Sequence, residues 1–433
     1  MTETMNKFTD ETINNEAKER LRRLLREGGI PSEAFAHAEA VDGAEVPNDP
    51  FANMQAALLL KAEESLLADK TYLGNFYGSG SSKTGQYFML ANDASGNGAN
   101  FMKLGRIVSA DEYHALMDDP AATLNGCLMF GAYVDDCWIF RMLDEDRSYL
   151  NLLPYGLVTQ LFSRNMGLFE TDAMMGKTAI IVGQGSAGSM AALYLARSGV
   201  GRFILVDGDI LDIHNLSRHQ LDGRFLGHYK VDAMREAILA INPKAQVEVF
   251  CGYLQDAPME LFSQVKDGIV IGTADDRSAN ALANELAKNL GIPFTAVGGW
   301  TRCHAGETFY WIPNRGLPTY AEGFSGLIAE PETASKADKA LYFADAHDME
   351  KLNFEPGTAV DLGFITMVNL KFDLDLINLN NSNYTPRVLN DYTHYTIICN
   401  TNDPKIGGEN AAMFPHPLYI SRNVTLSAED RGV

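Results

Sequence analysis

From residue 177 to residue 297 the hydrophobic pattern alternates between short apolar runs and stripes at helical spacing. Thr178-Ala179-Ile180-Ile181-Val182 is a continuous, β-branched run that predicts a strand buried on both faces. A glycine-rich turn follows, then Ser189 to Arg197 with the Ala, Leu and Met content of a helix, then a second strand at Phe203 to Val206. Val231, Met234 and Ile238 mark one face of a further helix that Asn242-Pro243 stops. Val247 to Phe250, Ile269 to Ile271 and Phe294 to Val297 read as three more strands. Between the last two, Leu282, Leu286 and Leu290 stripe a helix that Gly291 caps. Strands alternating with helices predict an α/β fold with a doubly wound, mostly parallel Rossmann-like sheet.

The pattern changes on either side. Downstream, residues 306 to 311 read as a strand, 313 to 356 as a long acidic loop of low periodicity, and Asp361 to Asn378 as an apolar helix. The last fifty or so residues read as strands and loops. Upstream, residues 8 to 27 carry Leu21, Leu24 and Leu25 at helical spacing, 31 to 50 form an acidic linker, and 51 to 69 read as helical. Runs such as Cys127 to Phe130 and Trp138 to Phe140 suggest a small α+β region, and residues 155 to 169 a helix carrying Arg164. The expected division is a helical and acidic segment with linker at 1–50, a small α+β domain at 51–155 and the α/β domain at 156–433.

Composition narrows the function classes. The chain has 433 residues, 46% of them hydrophobic, enough for a large core. Asp plus Glu outnumber Lys plus Arg by 56 to 35, a formal charge of −21, with no basic run long enough to track a phosphate backbone. Nucleic acid is therefore not an expected partner. The polar N-terminus and the absence of a long apolar stretch predict neither signal peptide nor membrane span, so a cytoplasmic protein is expected. Five cysteines without C-x-x-C spacing argue against a disulfide framework and a cysteine zinc site.

Candidate chemistry gathers at the strand ends. Gly183-Gln184-Gly185-Ser186-Ala187-Gly188 matches G-x-G-x-x-G at each fixed position. Gly183 permits the tight turn, Gly185 lets backbone N–H groups approach a phosphate, Gly188 lets the next helix pack closely, and Ser186 within the turn is a further cofactor-binding candidate. Asp207, ending the second strand, is placed to accept hydrogen bonds from ribose hydroxyls, with Asp209 beside it. Asn215, Arg218 and Lys230 offer donors and positive charge for a triphosphate, and Asp275 is a hard oxygen ligand suited to Mg²⁺. A nicotinamide oxidoreductase shares the glycines and the acid, but has no use for the cationic cluster beyond them. Singly, Asn215 also reads as a turn residue, Arg164, Arg218 and Lys230 as surface charges, Asp275 or Asp276 as a helix cap, and His214, His219 and His228 as loop histidines. Residues 78 to 84 resemble a phosphate loop only superficially and read as a hairpin or loop, since both fixed glycines are missing.

The order GQGSAG, VDGD, NLSRH, Lys230 and TADD resembles the ThiF/MoeB/HesA superfamily of ubiquitin-activating-type adenylyltransferases, over roughly residues 160 to 430. That resemblance implies an adenylation fold preceded by an extra N-terminal α+β region, with a crossover loop at about 313–356. It implies ATP and Mg²⁺, and a partner bound by its C-terminus: a ubiquitin-like modifier in a bacterial conjugation or antiviral pathway, a sulfur-carrier protein, or a peptide. The carboxylate would be adenylated and pyrophosphate released. Carried over, Asp207 binds ribose, Asn215, Arg218 and Lys230 the phosphates, and Asp275 the metal, while Arg164 resembles a finger that often acts across a homodimer. Two departures stand out. Where relatives place the first zinc-binding C-x-x-C pair this chain reads Pro318-Thr319-Tyr320-Ala321-Glu322, so no zinc is expected. Residues 313 to 356 also lack the cysteine that forms a thioester in some relatives: either the chain stops at the adenylate, or the natural cysteine has been replaced, or another cysteine serves, for which Cys303, next to His304, is the best substitute, though it also reads as a buried structural cysteine. A degenerate adenylation fold that only binds its partner is the alternative reading.

Overall fold

The computed structural model describes residues 58–81, 84–92, 102–325, 356–422 and 424. The helix expected over 8–27, the linker over 31–50 and most of the crossover segment lie outside the described residues.

Two β-systems follow in chain order. The first comprises β1 (Leu59–Glu63), β2 (Gly74–Ser81), β3 (Gln86–Ala91), β4 (Met102–Ile107), helix α1 (Ala110–Asp118), β5 (Met129–Val134), β6 (Cys137–Met142) and β7 (Tyr149–Tyr155). Among the described residues these seven strands close into a barrel in the order β1-β3-β2-β4-β5-β6-β7, with β7 pairing back onto β1. Leu60, Phe76, Met89, Leu104, Met129, Phe140 and Leu150 fill its interior. Of the helix expected over 51–69, residues 51–57 lie outside the described residues and the rest is corrected by β1: Leu60 and Ala62 alternate into the barrel, and parallel pairing with β3 and β7 overrides the local leucine-rich signal. The glycines of the 78–84 stretch serve strand contact, because a Cβ on Gly78 would fall 1.7 Å from the Phe88 carbonyl oxygen. Buried Arg147 braces this region, donating to the carbonyls of Leu116, Asp119, Ala122 and Asp144 at 2.8–3.1 Å.

The second system begins with short helices α2 (Leu157–Leu161) and α3 (Thr171–Met175). The single helix expected over 155–169 is therefore broken; Arg164 sits in a 3-10 turn, Ser163–Asn165, and Gly167 follows at φ 81°. Then come β8 (Thr178–Val182), α4 (Ser186–Arg197), β9 (Arg202–Val206), α5 (Lys230–Ile241), β10 (Gln246–Phe250), β11 (Gly268–Gly272), α6 (Arg277–Leu290), β12 (Phe294–Gly299), β13 (Ala305–Trp311), α7 (Tyr320–Gly323), α8 (Ala359–Ile377), β14 (Tyr395–Cys399), α9 (Pro404–Gly407) and β15 (Tyr419–Ile420). Among the described residues, eight strands form one sheet in the order β10-β9-β8-β11-β12-β13-β14-β15. The pairs from β10 to β12 are parallel, and those from β12 to β15 antiparallel. This is the α/β, mostly parallel architecture that the alternating pattern predicts.

Successive residues of the central strands face opposite layers. Ala179, Ile181, Phe203 and Leu205 pack with α4, α5 and α8, whereas Ile180, Val182, Ile204 and Val206 pack with α6 on the other side. Each such fully buried Ile or Val contributes about 2 kcal/mol. In α6 the sheet-facing residues are Ala283, Leu286 and Ala287, while Leu282 is exposed, which corrects the expected leucine stripe. Helix α8 carries two fully buried carboxylates: Asp375 accepts the N–H groups of Arg387, Val388 and Leu389, and Asp373 accepts from Thr295 and Asn369. Among the described residues no helix is long and apolar enough to cross a membrane.

Candidate active site

The strands β8, β9 and β11 end on one side of the sheet, where an open α/β fold leaves a crevice. The glycine turn starts there. Gly183 has φ 93°, a left-handed conformation that suits glycine, and a Cβ there would lie 3.0 Å from the Ala274 nitrogen. Gly188 sits where α4 crosses the turn, and its Cβ would fall 2.0 Å from the Gly183 oxygen and 2.7 Å from Thr273 Oγ1. That hydroxyl donates to the Gly183 carbonyl at 2.7 Å, tying the end of β11 to the turn. Gly185 differs: a Cβ there would meet nothing within 4 Å. Tight packing thus requires Gly183 and Gly188, whereas Gly185 leaves open space at the N-terminus of α4, where unpaired N–H groups favour an anion. Ser186 is the first residue of that helix.

Asp207 closes the turn from β9. Its Oδ2 accepts the Gln184 N–H at 2.6 Å and its Oδ1 the Asp209 N–H at 2.7 Å. Burial pushes this carboxyl above the ordinary carboxylate value, against the opposing pull of those two donors and of Lys230. Lys230 opens α5 with its side chain buried, and its Nζ lies 2.8 Å from Asp209 Oδ2. Asn215 ends a 3-10 turn and forms a capping box with Asp212, accepting the Asp212 N–H at 2.9 Å. The turn-residue reading thus holds for its oxygen. Arg218 is half-buried.

Arg218 and Cys303 meet at Gly357: a Cβ on that glycine would lie 3.8 Å from Arg218 Nη1 and 2.6 Å from Cys303 Sγ. Cys303 is 6% exposed and follows Arg302 in a left-handed turn, both at φ 52°. The thiol faces Gly299 and Gly357, whereas the His304 imidazole packs against Gly407, Trp300 and Phe414.

Asp275 and Asp276 divide the remaining roles. Asp276 caps α6, accepting the Ser278 N–H at 2.9 Å, and Asp275 stays exposed at the mouth of β11. Among the described residues no three His, Cys, Asp or Glu side chains cluster as a metal site. One carboxylate beside an anion cradle fits a magnesium ion that takes most of its ligands from phosphate oxygens and water. Arg164 lies exposed beside Leu161, Met166 and Leu168, which are exposed as well. Among the described residues no hydrogen bond or ion pair joins it to the crevice.

One residue escapes the sequence pattern. His219, read there as a loop histidine, is 8% exposed, and its Nε2 lies 2.7 Å from the Gln184 carbonyl oxygen. The signal for it is slight: buried Leu211 and Leu221 flank the loop and turn its middle inward.

Residues 159–326 match the ThiF family. The tRNA threonylcarbamoyladenosine dehydratase of Bacillus subtilis is 38% identical over 119 residues, covering 26% of this chain and 46% of that protein. The adenylyltransferase and sulfurtransferase UBA4 of Saccharomyces cerevisiae is 27% identical over 198 residues, 44% of this chain and 43% of that protein. The chain thus spans less than half the length of these curated relatives. Among solved structures, E. coli MccB with ATP aligns at a TM-score of 0.41 and 17% identity, over 59% of this chain and 65% of that one. PaaA aligns at 0.40 and 18% identity, over 58% and 65%. The match over residues 159–326, with these relatives, supports the resemblance to the ThiF/MoeB superfamily.

Proposed function

We propose that the chain uses Mg·ATP to adenylate the C-terminal carboxylate of a small ubiquitin-like or sulfur-carrier protein, or of a peptide. A carboxylate oxygen bonds to the α-phosphorus as the bond to the bridging oxygen of the β-phosphate breaks, and pyrophosphate leaves with that electron pair. Such a reaction needs alignment and charge neutralisation more than an acid or base. The observation that carries this reading is the space left open at Gly185, with the buried Lys230 ammonium nearby on Asp209 and the Arg218 guanidinium in the same domain.

Each residue takes a part in the proposal. Asp207 receives ribose, and the Gly185 N–H, the first turn of α4, Asn215, Arg218 and Lys230 receive phosphate oxygens. Asp275 would hold the magnesium ion, which supplies charge neutralisation when bound. Arg164, on an exposed apolar turn, would act from a second copy of the chain. Cys303, beside Arg218 at Gly357, is the candidate to receive the acyl group: its sulfur bonds to the acyl carbon as the bond from that carbon to the phosphate oxygen breaks, AMP leaves with the electron pair and the thiol proton is released to solvent. A bacterial conjugation or defence pathway is the setting suggested for that step. The formal charge of −21 favours a protein or peptide acceptor over the tRNA named for the Bacillus relative, because a polyanion would be repelled.

The test is isotope exchange. Purified protein, Mg·ATP and labelled pyrophosphate are incubated with each small protein encoded beside the gene. Label should enter ATP with one of them, and Asp275→Ala should stop it. Preferential binding of NAD over ATP in calorimetry would refute the proposal.

A further inference from the structure

Both backbone groups of Gln184 are held from outside the turn. Its N–H donates to Asp207 Oδ2 at 2.6 Å, and its carbonyl oxygen lies 2.7 Å from His219 Nε2. The side chain is locked too, since Nε2 of fully buried Gln184 donates to the Ile181 carbonyl at 3.1 Å. His219 in turn accepts the Leu221 N–H at its Nδ1, 3.1 Å away. The two partners fix the tautomer: Nδ1 accepts, so Nε2 carries the proton and donates to Gln184.

A trans peptide is planar, and its C=O and N–H point in opposite directions. Holding the Gln184 carbonyl therefore fixes where the next N–H, that of Gly185, is aimed. Gly185 is the glycine whose Cβ position is open, and among the described residues none accepts a hydrogen bond from its N–H. We propose that His219 is a positioning residue that, through the Gln184–Gly185 peptide, aims the Gly185 N–H at a phosphate oxygen of the bound nucleotide.

This inference rests on the nucleotide reading above and deepens it. The ring suits the task only while neutral, because a second proton would set an Nδ1–H against the Leu221 N–H. Burial, reinforced by the charge of Lys230, pushes the imidazole below its ordinary value and so keeps it neutral. The charge that acts on the ring is that of Lys230 on α5, itself paired with Asp209, while Asp207 holds the other backbone group of Gln184.

The experiment is calorimetric titration of the full chain with Mg·ATP at pH 8. His219→Leu keeps apolar volume without a donor, His219→Asn keeps polarity but is too short, and His219→Gln offers a donor and an acceptor at comparable reach. H219L and H219N should bind ATP about tenfold or more weakly, and H219Q within about threefold of the unaltered protein. Binding by a folded H219L or H219N as tight as that of the unaltered protein would overturn the inference, and so would H219Q as weak as either. Should the two disruptive variants fail to fold, H219Q alone decides: retained affinity supports the role and a tenfold loss refutes it. Absence of ATP binding by the unaltered protein would instead sink the nucleotide reading, and this inference with it.

Discussion

Lys230 Nζ stands 2.8 Å from Asp209 Oδ2, with the lysine side chain 9% and the carboxylate 64% accessible. The ammonium is thus held at the crevice by a partner that solvent can relieve, so it can turn to a stronger anion at little cost. Lys230→Met keeps the buried stem and deletes the charge. Exchange activity should fall by about 10²–10³ in kcat/KM while the melting temperature moves little. An unchanged kcat/KM would remove Lys230 from the proposed chemistry.

The three motif glycines should separate by experiment. Gly188→Ala puts a methyl group 2.0 Å from a backbone oxygen, so the helix must shift, at a cost of about 1–3 kcal/mol. Gly185→Ala meets open space and should leave denaturant stability unchanged, yet weaken ATP binding about tenfold. If Gly185→Ala destabilises the fold as much as Gly188→Ala does, the open cradle is misread.

Asp373 gives a pH dependence of known sign. Burial raises its carboxyl from 3.8 to about 7, against hydrogen bonds from Thr295 and Asn369. The folded chain therefore holds a proton that the unfolded chain releases between those values, so this group's stabilising contribution is present below about pH 4 and lost as pH rises to 7. The loss can reach about 1.4 kcal/mol per pH unit. Urea titrations from pH 4 to 8 should show that decline in the unaltered protein and a flatter profile in Asp373→Asn; parallel profiles would contradict the assignment.

Arg147 offers a test of the barrel alone. It is 3% exposed and satisfies four backbone carbonyls between α1 and the β6–β7 turn. Arg147→Met leaves those acceptors buried and should cost about 2–4 kcal/mol. Nucleotide affinity should not follow if the barrel lies outside the adenylation chemistry; a parallel loss of ATP binding would tie the two together.

The sheet was readable because its strands are buried on both faces: Ile180 and Ile181 point to opposite layers, and both layers are apolar. The barrel was not. Its strands are interrupted by Gly78, Gly80, Gly105 and Gly131, and β1 is defined by pairing with β3 and β7, partners that local periodicity does not register. The candidate site divides the same way. Gly183, Gly188 and Asp207 announce themselves by spacing, whereas His219 lies in a loop whose inward turn depends on Leu211 and Leu221 finding the core. Arg218 and Cys303 both lie beside Gly357, and no spacing in the chain points to that neighbourhood.

Asp207 and His219 follow Gln184 by 23 and 35 residues. During synthesis the glycines therefore leave the ribosome before either of their restraints exists. A nascent chain halted at residue 206 would possess the motif yet lack both hydrogen bonds to Gln184, so the restrained form of the turn is a late acquisition in the life of the polypeptide.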